Sequence, residues 1–218
     1  MIARQRQTHG EEVANVLTHG TGMLFGITAI VVLMVAALRN GSPWVIGSFA
    51  VYAVCMTLSY VTSTFYHASA NARQKRLLRR FDHSAIYLHI AGTYTPFTLV
   101  TLRLEGYWGW TLFAIVWIAA VVGIYQSFRK MKKKSHVKTI CYLAMSWVIV
   151  FAFKPLYHVL SETDSMDVLY WLLGGGFFYT AGSIFFFFDD KYKYMHSIWH
   201  LFVLGGSVCH FISVYLLA

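Results

Sequence analysis

Charged residues are scarce in this chain, and that scarcity narrows its class. Only 12% of the 218 residues are charged, whereas 57% belong to the hydrophobic set. An average soluble domain carries about 25% charged residues. The composition therefore excludes an ordinary water-soluble globular protein and predicts one embedded in a membrane.

Cysteines are also few, and their placement excludes two kinds of site. The three, Cys55, Cys141 and Cys209, are odd in number, lie inside apolar segments and form no CxxC pair. A disulfide framework or a cysteine-rich zinc knuckle is therefore not expected. We expect these residues to pack between helices as small apolar side chains.

Long apolar segments fill most of the chain. A helix needs about 20 mostly apolar residues to cross the hydrocarbon region of a bilayer. The first 16 residues are too polar to begin a secretory signal peptide, so no cleavage is expected. We predict an all-α fold, a seven-transmembrane helix bundle forming one membrane domain over residues 1–218. The predicted spans are approximately 17–38, 43–66, 83–102, 108–128, 139–160, 167–188 and 197–217.

Basic residues alternate between the predicted loops in a way that orients the bundle. If the N-terminus is cytoplasmic, all but three of the 18 basic residues lie on the cytoplasmic side. The positive-inside rule therefore predicts a cytoplasmic N-terminus and a C-terminus outside. We interpret the basic loops as contacts with anionic membrane lipids and not as a nucleic-acid surface. The three basic residues left outside are Arg39, Arg103 and Lys154.

Three histidines and an aspartate stand at the cytoplasmic ends of three predicted spans. His67 closes the second span, Asp82 opens the third, and His196 and His200 open the seventh. Four residues of helix turn through about 400°, so the last two side chains differ by only ~40° in direction. This spacing is the one that helices use to present two imidazoles to one zinc ion. We predict a metal site formed by His67, His196 and His200.

Three imidazoles leave one position of a tetrahedral zinc ion open, as in catalytic sites. Zinc lowers the pKa of water in that position to about 7. Asp82 is then placed to take the proton or orient the water, and Ser63, one turn before His67, is placed to hydrogen-bond the water or a substrate oxygen.

A single histidine at a membrane interface is usually only a polar end group. The predicted metal site therefore depends on the three histidines and Asp82 meeting at the same depth of the membrane. His83 and His158 carry less weight for this reason. His89 lies within a span and is expected to make an interhelical hydrogen bond. His210 follows His196 by about 21 Å of helix and cannot share the metal.

Several short motifs run along nearly the whole chain: Glu12-x-x-Asn15, Thr18-His19, Ser63-x-x-x-His67, Phe81-Asp82, Ala91-Gly92-Thr93-Tyr94-Thr95-Pro96, His196-x-x-x-His200 and Cys209-His210-Phe211. Together they resemble the haemolysin III family, the bacterial branch of the progestin and adipoQ receptor superfamily that includes the adiponectin receptors. The resemblance implies seven spans in a bacterial inner membrane, with zinc held by His67, His196 and His200 and with Asp82 and Ser63 acting around the bound water.

Three functions remain open. Similarity to the ceramidase-like activity of the receptors implies a zinc-dependent hydrolase of a lipid acyl amide or ester. The second candidate function is that of a non-enzymatic membrane sensor or regulator that holds a structural zinc. A lytic pore or a transporter ranks last, because such a protein would need more charged residues in the middle of the membrane. The sequence also offers no export signal for a secreted toxin.

Overall fold

Regular structure is entirely helical in the residues that the computed structural model describes, 7–129 and 136–218, so the expected all-α fold is confirmed there. The basic residues Arg4, Arg6, Lys130, Lys132, Lys133 and Lys134, which contributed to the predicted orientation, lie outside this range. The helices are α1 (His9–Asn40), α2 (Pro43–Ala68), α3 (Ala72–Pro96), α4 (Trp108–Phe128), α5 (His136–Ser146), α6 (Phe153–Glu162), α7 (Met166–Phe187) and α8 (Met195–Tyr215).

Six helical segments within this range are long and apolar enough to cross a membrane. Helices α5 and α6 count as one of them, since they run together as Val137–Glu162, and α1, α2, α4, α7 and α8 are the others. The protein is therefore a multi-pass membrane protein. The remaining predicted span, 83–102, begins inside α3, whose first turns are rich in arginine and lysine. A crossing by that helix stays a prediction.

Two helices begin well before the spans predicted from hydropathy. Thr8 caps α1 through a reciprocal capping box with Glu11, which starts the helix at His9 instead of near residue 17. Asn71 caps α3 by accepting from the backbone N–H groups of Arg73 and Gln74, at 2.9 and 3.1 Å. Hydropathy indicates where the membrane-embedded part of a helix begins, whereas capping residues determine where the helix itself begins. Both helices therefore extend by polar turns beyond their predicted spans.

Two prolines mark the irregular turns of the bundle. Pro96 ends α3, and a π-helical turn follows at Phe97–Thr101. Pro155 has no N–H to donate to the carbonyl of Phe151, and the segment just before it, Val148–Ala152, is a 3-10 turn that separates α5 from α6.

The first and last helices are neighbours, because α1 packs against both α2 and α8. The core between them includes Leu33, Phe49 and Tyr60, which are all fully buried. Small residues let α7 and α8 approach closely, as the glycines of these spans predict. A Cβ atom on Gly206 would lie 2.8 Å from the ring of Tyr179.

Helix α1 offers a matched pair of glycines that tests its packing. A Cβ atom on Gly22 would press into the ring of Tyr60 on α2, whereas one on Gly20 would meet nothing within 4 Å. We expect Gly22→Ala to lower the free energy of unfolding by about 1–3 kcal/mol through overpacking. Gly20→Ala should be neutral or stabilising, because alanine favours helix. Thermal unfolding of the detergent-solubilised variants measures both. Equal melting temperatures would contradict this packing of α1 on α2.

Candidate metal centre

Three imidazole rings form a compact triangle where α2 ends and α8 begins. The ring centroid of His67 lies 5.1 Å from that of His196 and 5.2 Å from that of His200, and the last two are 4.6 Å apart. One nitrogen from each ring lies within 4.8 Å of the other two. His67 and His200 are 4% and 0% exposed. The structure thus brings together the three predicted ligands, and the group could hold a metal ion.

The Nδ1 atom of each ring is engaged by a polar side chain. His67 Nδ1 lies 2.7 Å from Glu12 Oε2, and His196 Nδ1 lies 2.8 Å from Asp189 Oδ2. A carboxylate only accepts hydrogen bonds, so both Nδ1 atoms carry the proton. Carboxylates commonly orient metal-binding histidines in this way.

The third ring, His200, reaches the same tautomer through a hydroxyl. Thr18 Oγ1 donates its single proton to the backbone carbonyl of Ala14, at 2.9 Å. With its proton committed there, Thr18 Oγ1 is an acceptor for His200 Nδ1, which lies 3.1 Å away. In all three rings Nδ1 carries the proton and Nε2 keeps a lone pair.

The Nε2 atoms of His67 and His200 are buried and have no hydrogen-bond partner within residues 7–129 and 136–218. A buried nitrogen without a partner typically costs about 1–3 kcal/mol. Three lone pairs on one small group of neutral imidazoles are the donor set of a transition-metal site. The residues present therefore fit a bound metal ion.

Helix α1 supplies most of the surrounding hydrogen bonds. Glu12, Asn15 and Thr18 recur every three residues, which places them along one side of the helix. Asn15 Oδ1 accepts from Ser197 Oγ on α8 at 2.6 Å. These residues belong to sequence motifs, but they precede the first predicted span or lie at its start, so no role was predicted for them. Their three-residue spacing on a helix is the sequence signal that could have identified them.

Two further contacts fix the ends of the helices that carry the ligands. Lys75 Nζ on α3 donates to Glu12 Oε1 at 2.7 Å and to the carbonyl of His67 at 3.4 Å. Glu11 Oε1 accepts from the backbone N–H of Tyr194 at 2.9 Å. Tyr194 has φ of 61°, a left-handed conformation that is unfavourable for a tyrosine. This contact holds the chain where α8 starts.

Asp82 and Ser63, the predicted catalytic residues, lie near the triangle but not in it. Asp82 is close enough to His67 to interact with it electrostatically, and its Oδ2 lies 3.2 Å from the Nδ1 of His83. Ser63 is 2% exposed and lies one turn before His67 on α2. Asp189 is a site residue that the sequence did not indicate, because it lies in the turn before α8 and outside the ends of the predicted spans that drew attention to the histidines.

Among the histidines whose side chains the structure describes, only His67, His196 and His200 form the candidate metal-binding group. His89 makes the expected interhelical hydrogen bond, with its Nδ1 3.0 Å from Ser59 Oγ. His210 Nε2 donates to the carbonyl of Leu172 at 3.1 Å, so it is engaged at the other end of α8. His158 is exposed.

The helices and the histidine triangle define a multi-pass membrane protein with a candidate metal centre between its first, second and last helices. A sequence profile described as "Haemolysin-III related" matches residues 7–211. The chain therefore belongs to the haemolysin III family, as its motifs predict.

Proteins similar to this chain align with nearly all of it. Hemolysin-3 of Bacillus cereus is 43% identical over 98% of this chain and 94% of its own length. The Hemolysin-3 homolog of Bacillus subtilis is also 43% identical, over 94% and 92%. The human monocyte to macrophage differentiation factor is 26% identical, over 97% of this chain and 86% of its own length.

Removal of a supporting carboxylate should weaken metal binding. We expect Asp189→Ala to lower metal affinity about 10- to 100-fold, because His196 loses the acceptor that fixes its ring and tautomer. Asp189→Asn, which keeps an acceptor oxygen, should lose less. Competition with a chelator of known affinity measures the change. The control is Glu162→Gln, an exposed carboxylate in the last turn of α6. Equal affinity in Asp189→Ala and Glu162→Gln would contradict this role of Asp189.

Proposed function

We propose that this protein is a zinc-dependent hydrolase of a lipid acyl amide or ester. The observation that carries the proposal is the set of three histidines whose Nδ1 atoms are hydrogen-bonded and whose Nε2 atoms are left for a metal. Such a set supplies three ligands and leaves room for one more, which distinguishes catalytic zinc sites from closed structural ones.

Zinc is the metal that best suits this donor set. Neutral imidazoles in a small tetrahedral group favour zinc over magnesium or calcium, which prefer oxygen ligands. When bound, zinc would polarise a carbonyl group and make water acidic enough to serve as a nucleophile near neutral pH.

The neighbouring side chains supply the proton transfers that hydrolysis requires. Asp82 would accept a proton from the attacking water and return it to the departing amine or alcohol. Ser63 would donate a hydrogen bond to the substrate. His67 and His200 are almost fully buried in the bundle, so a lipid arriving from the membrane, with its acyl chain lying among the helices, is the substrate class that fits.

The proposal includes the orientation of the bundle. With α3 as a seventh span, the cluster of arginines and lysines in its first turns would face the cytoplasm together with the N-terminus. The metal centre would then lie near the cytoplasmic face of a bacterial inner membrane, and the C-terminus outside it.

Two loops at opposite ends of α2 test this orientation. With the native cysteines replaced, a membrane-impermeant maleimide applied to spheroplasts should label Ser42→Cys, before α2, and leave Ala70→Cys, after α2, unlabelled. Labelling after permeabilisation serves as the control for reactivity. The reverse pattern would place the metal centre at the outer face.

Hydrolysis is tested on the purified zinc-loaded protein with a panel of lipid amides and esters. We expect Asp82→Asn to lower the rate about 10²- to 10⁴-fold, the usual effect of removing a general base, while zinc remains bound. The control is Asp164→Asn, a turn residue with φ of 50°, because asparagine tolerates that conformation. No cleavage across the panel, with identical behaviour of Asp82→Asn and the parent, would exclude the hydrolase.

A structural zinc in a membrane sensor or regulator is the second candidate. The observation that favours it is the network through which Asn15 and Glu12 join α1 to α8 and α2 around the histidines. Under that account His67→Ala should lose thermal stability together with its metal. A stable but inactive His67→Ala protein would favour the hydrolase. A lytic pore or transporter has no comparable support.

A further inference from the structure

A fourth buried imidazole, His19, borders the metal centre and has no assigned role. It lies on α1 one turn after Asn15 and is 5% exposed. Neither of its ring nitrogens has a hydrogen-bond partner within residues 7–129 and 136–218. A buried polar group without a partner in a native fold calls for an explanation, such as a ligand or water.

Contacts with three neighbouring rings fix the orientation of the His19 ring. Its face stacks on His200, with the ring centroids 3.4 Å apart and the planes at 21°. It also meets the ring of Tyr60 in a T-shaped contact, at 5.1 Å and 81°, and the ring of Trp199 at 6.4 Å and 46°. These contacts hold the ring in place, and its two buried nitrogens are the atoms left for a polar interaction.

Two polar side chains close to His19 do not satisfy its nitrogens. The hydroxyl of Tyr60 donates to Ser207 Oγ at 2.7 Å, so its proton is committed elsewhere. Asp82 is close enough to interact electrostatically with His19 but is bonded to His83.

His19 is also distinct from the three candidate ligands. The nitrogens that could share one metal ion belong to His67, His196 and His200. The ring of His19 is nearly parallel to the ring of His200 and in contact with it. The nitrogens of His19 therefore lie in a plane next to the ring plane that contains His200 Nε2. A neutral imidazole there offers one N–H donor beside a molecule bound at the centre.

We infer that His19 is a substrate-binding residue that donates a hydrogen bond to the carbonyl oxygen of an acyl ligand held at the metal centre. The inference rests on the proposed function for the class of ligand. Geometrically it rests on the stacked ring of His19 and its two unpartnered nitrogens. The competing account makes His19 only a flat packing surface for His200, a role that phenylalanine would fill equally well.

The substitution His19→Phe separates these two accounts, because it keeps the ring contacts and removes the nitrogens. The probe is dodecanoyl hydroxamic acid, a metal-binding analogue of an acyl amide, titrated into the Co²⁺-substituted full-length protein and followed by visible absorption. His19→Asn and His19→Gln restore an N–H donor. His158→Phe is the matched control at an exposed histidine.

We expect His19→Phe to bind the parental amount of cobalt and the hydroxamate three- to tenfold more weakly, the usual effect of one lost hydrogen bond. At least one amide variant should recover most of the affinity, and His158→Phe should match the parent.

Parental hydroxamate affinity in His19→Phe would overturn the inference, as would weakened binding that neither amide variant recovers. Loss of cobalt from His19→Phe would also overturn it, by making His19 part of the metal-holding group. A cobalt-loaded parent that binds no hydroxamate would do the same. If the parent binds hydroxamate but cleaves no lipid, the proposed hydrolase activity is excluded, whereas the effect of His19→Phe on hydroxamate binding still tests the inference.

Discussion

Polar groups inside a membrane protein must find partners, because lipid offers none. Three histidines of this bundle satisfy that requirement at Nδ1, through Glu12, Asp189 and Thr18. The Nε2 atoms of His67 and His200 are buried without a partner in the described part of the chain. A cation bound by the Nε2 atoms of all three rings would supply the missing partner, which makes the centre a candidate site of chemistry.

Helix α1 is the element on which this arrangement depends. It contacts both ligand-bearing helices, engages His67 through Glu12 and His200 through Thr18, and meets the start of α8 through Glu11. The same helix carries His19 against the ring of His200. The first helix thus does more than anchor the chain in the membrane, because it sets the tautomer and orientation of two of the three rings.

The helical fold and the pairing of His196 with His200 followed from the sequence because both have local signals, whereas His67 was added to them through the topology that the basic loops indicate. Apolar length marked the spans, and the four-residue spacing of His196 and His200 placed them on one side of α8. The extension of α1 to His9 depends on a capping box formed by Thr8 and Glu11. Asp189 reaches His196 only through the turn before α8, which hydropathy does not describe. Contacts across helices were therefore the part that the sequence left open.

Stoichiometric zinc on three imidazoles is the central claim, and X-ray absorption spectroscopy of the purified protein tests it most directly. The account predicts about one zinc per chain, with nitrogen and oxygen neighbours at about 2.0–2.1 Å and the outer-shell scattering of three imidazole rings. A protein purified without metal removal that contains no zinc, or zinc with sulfur neighbours at about 2.3 Å, would contradict it.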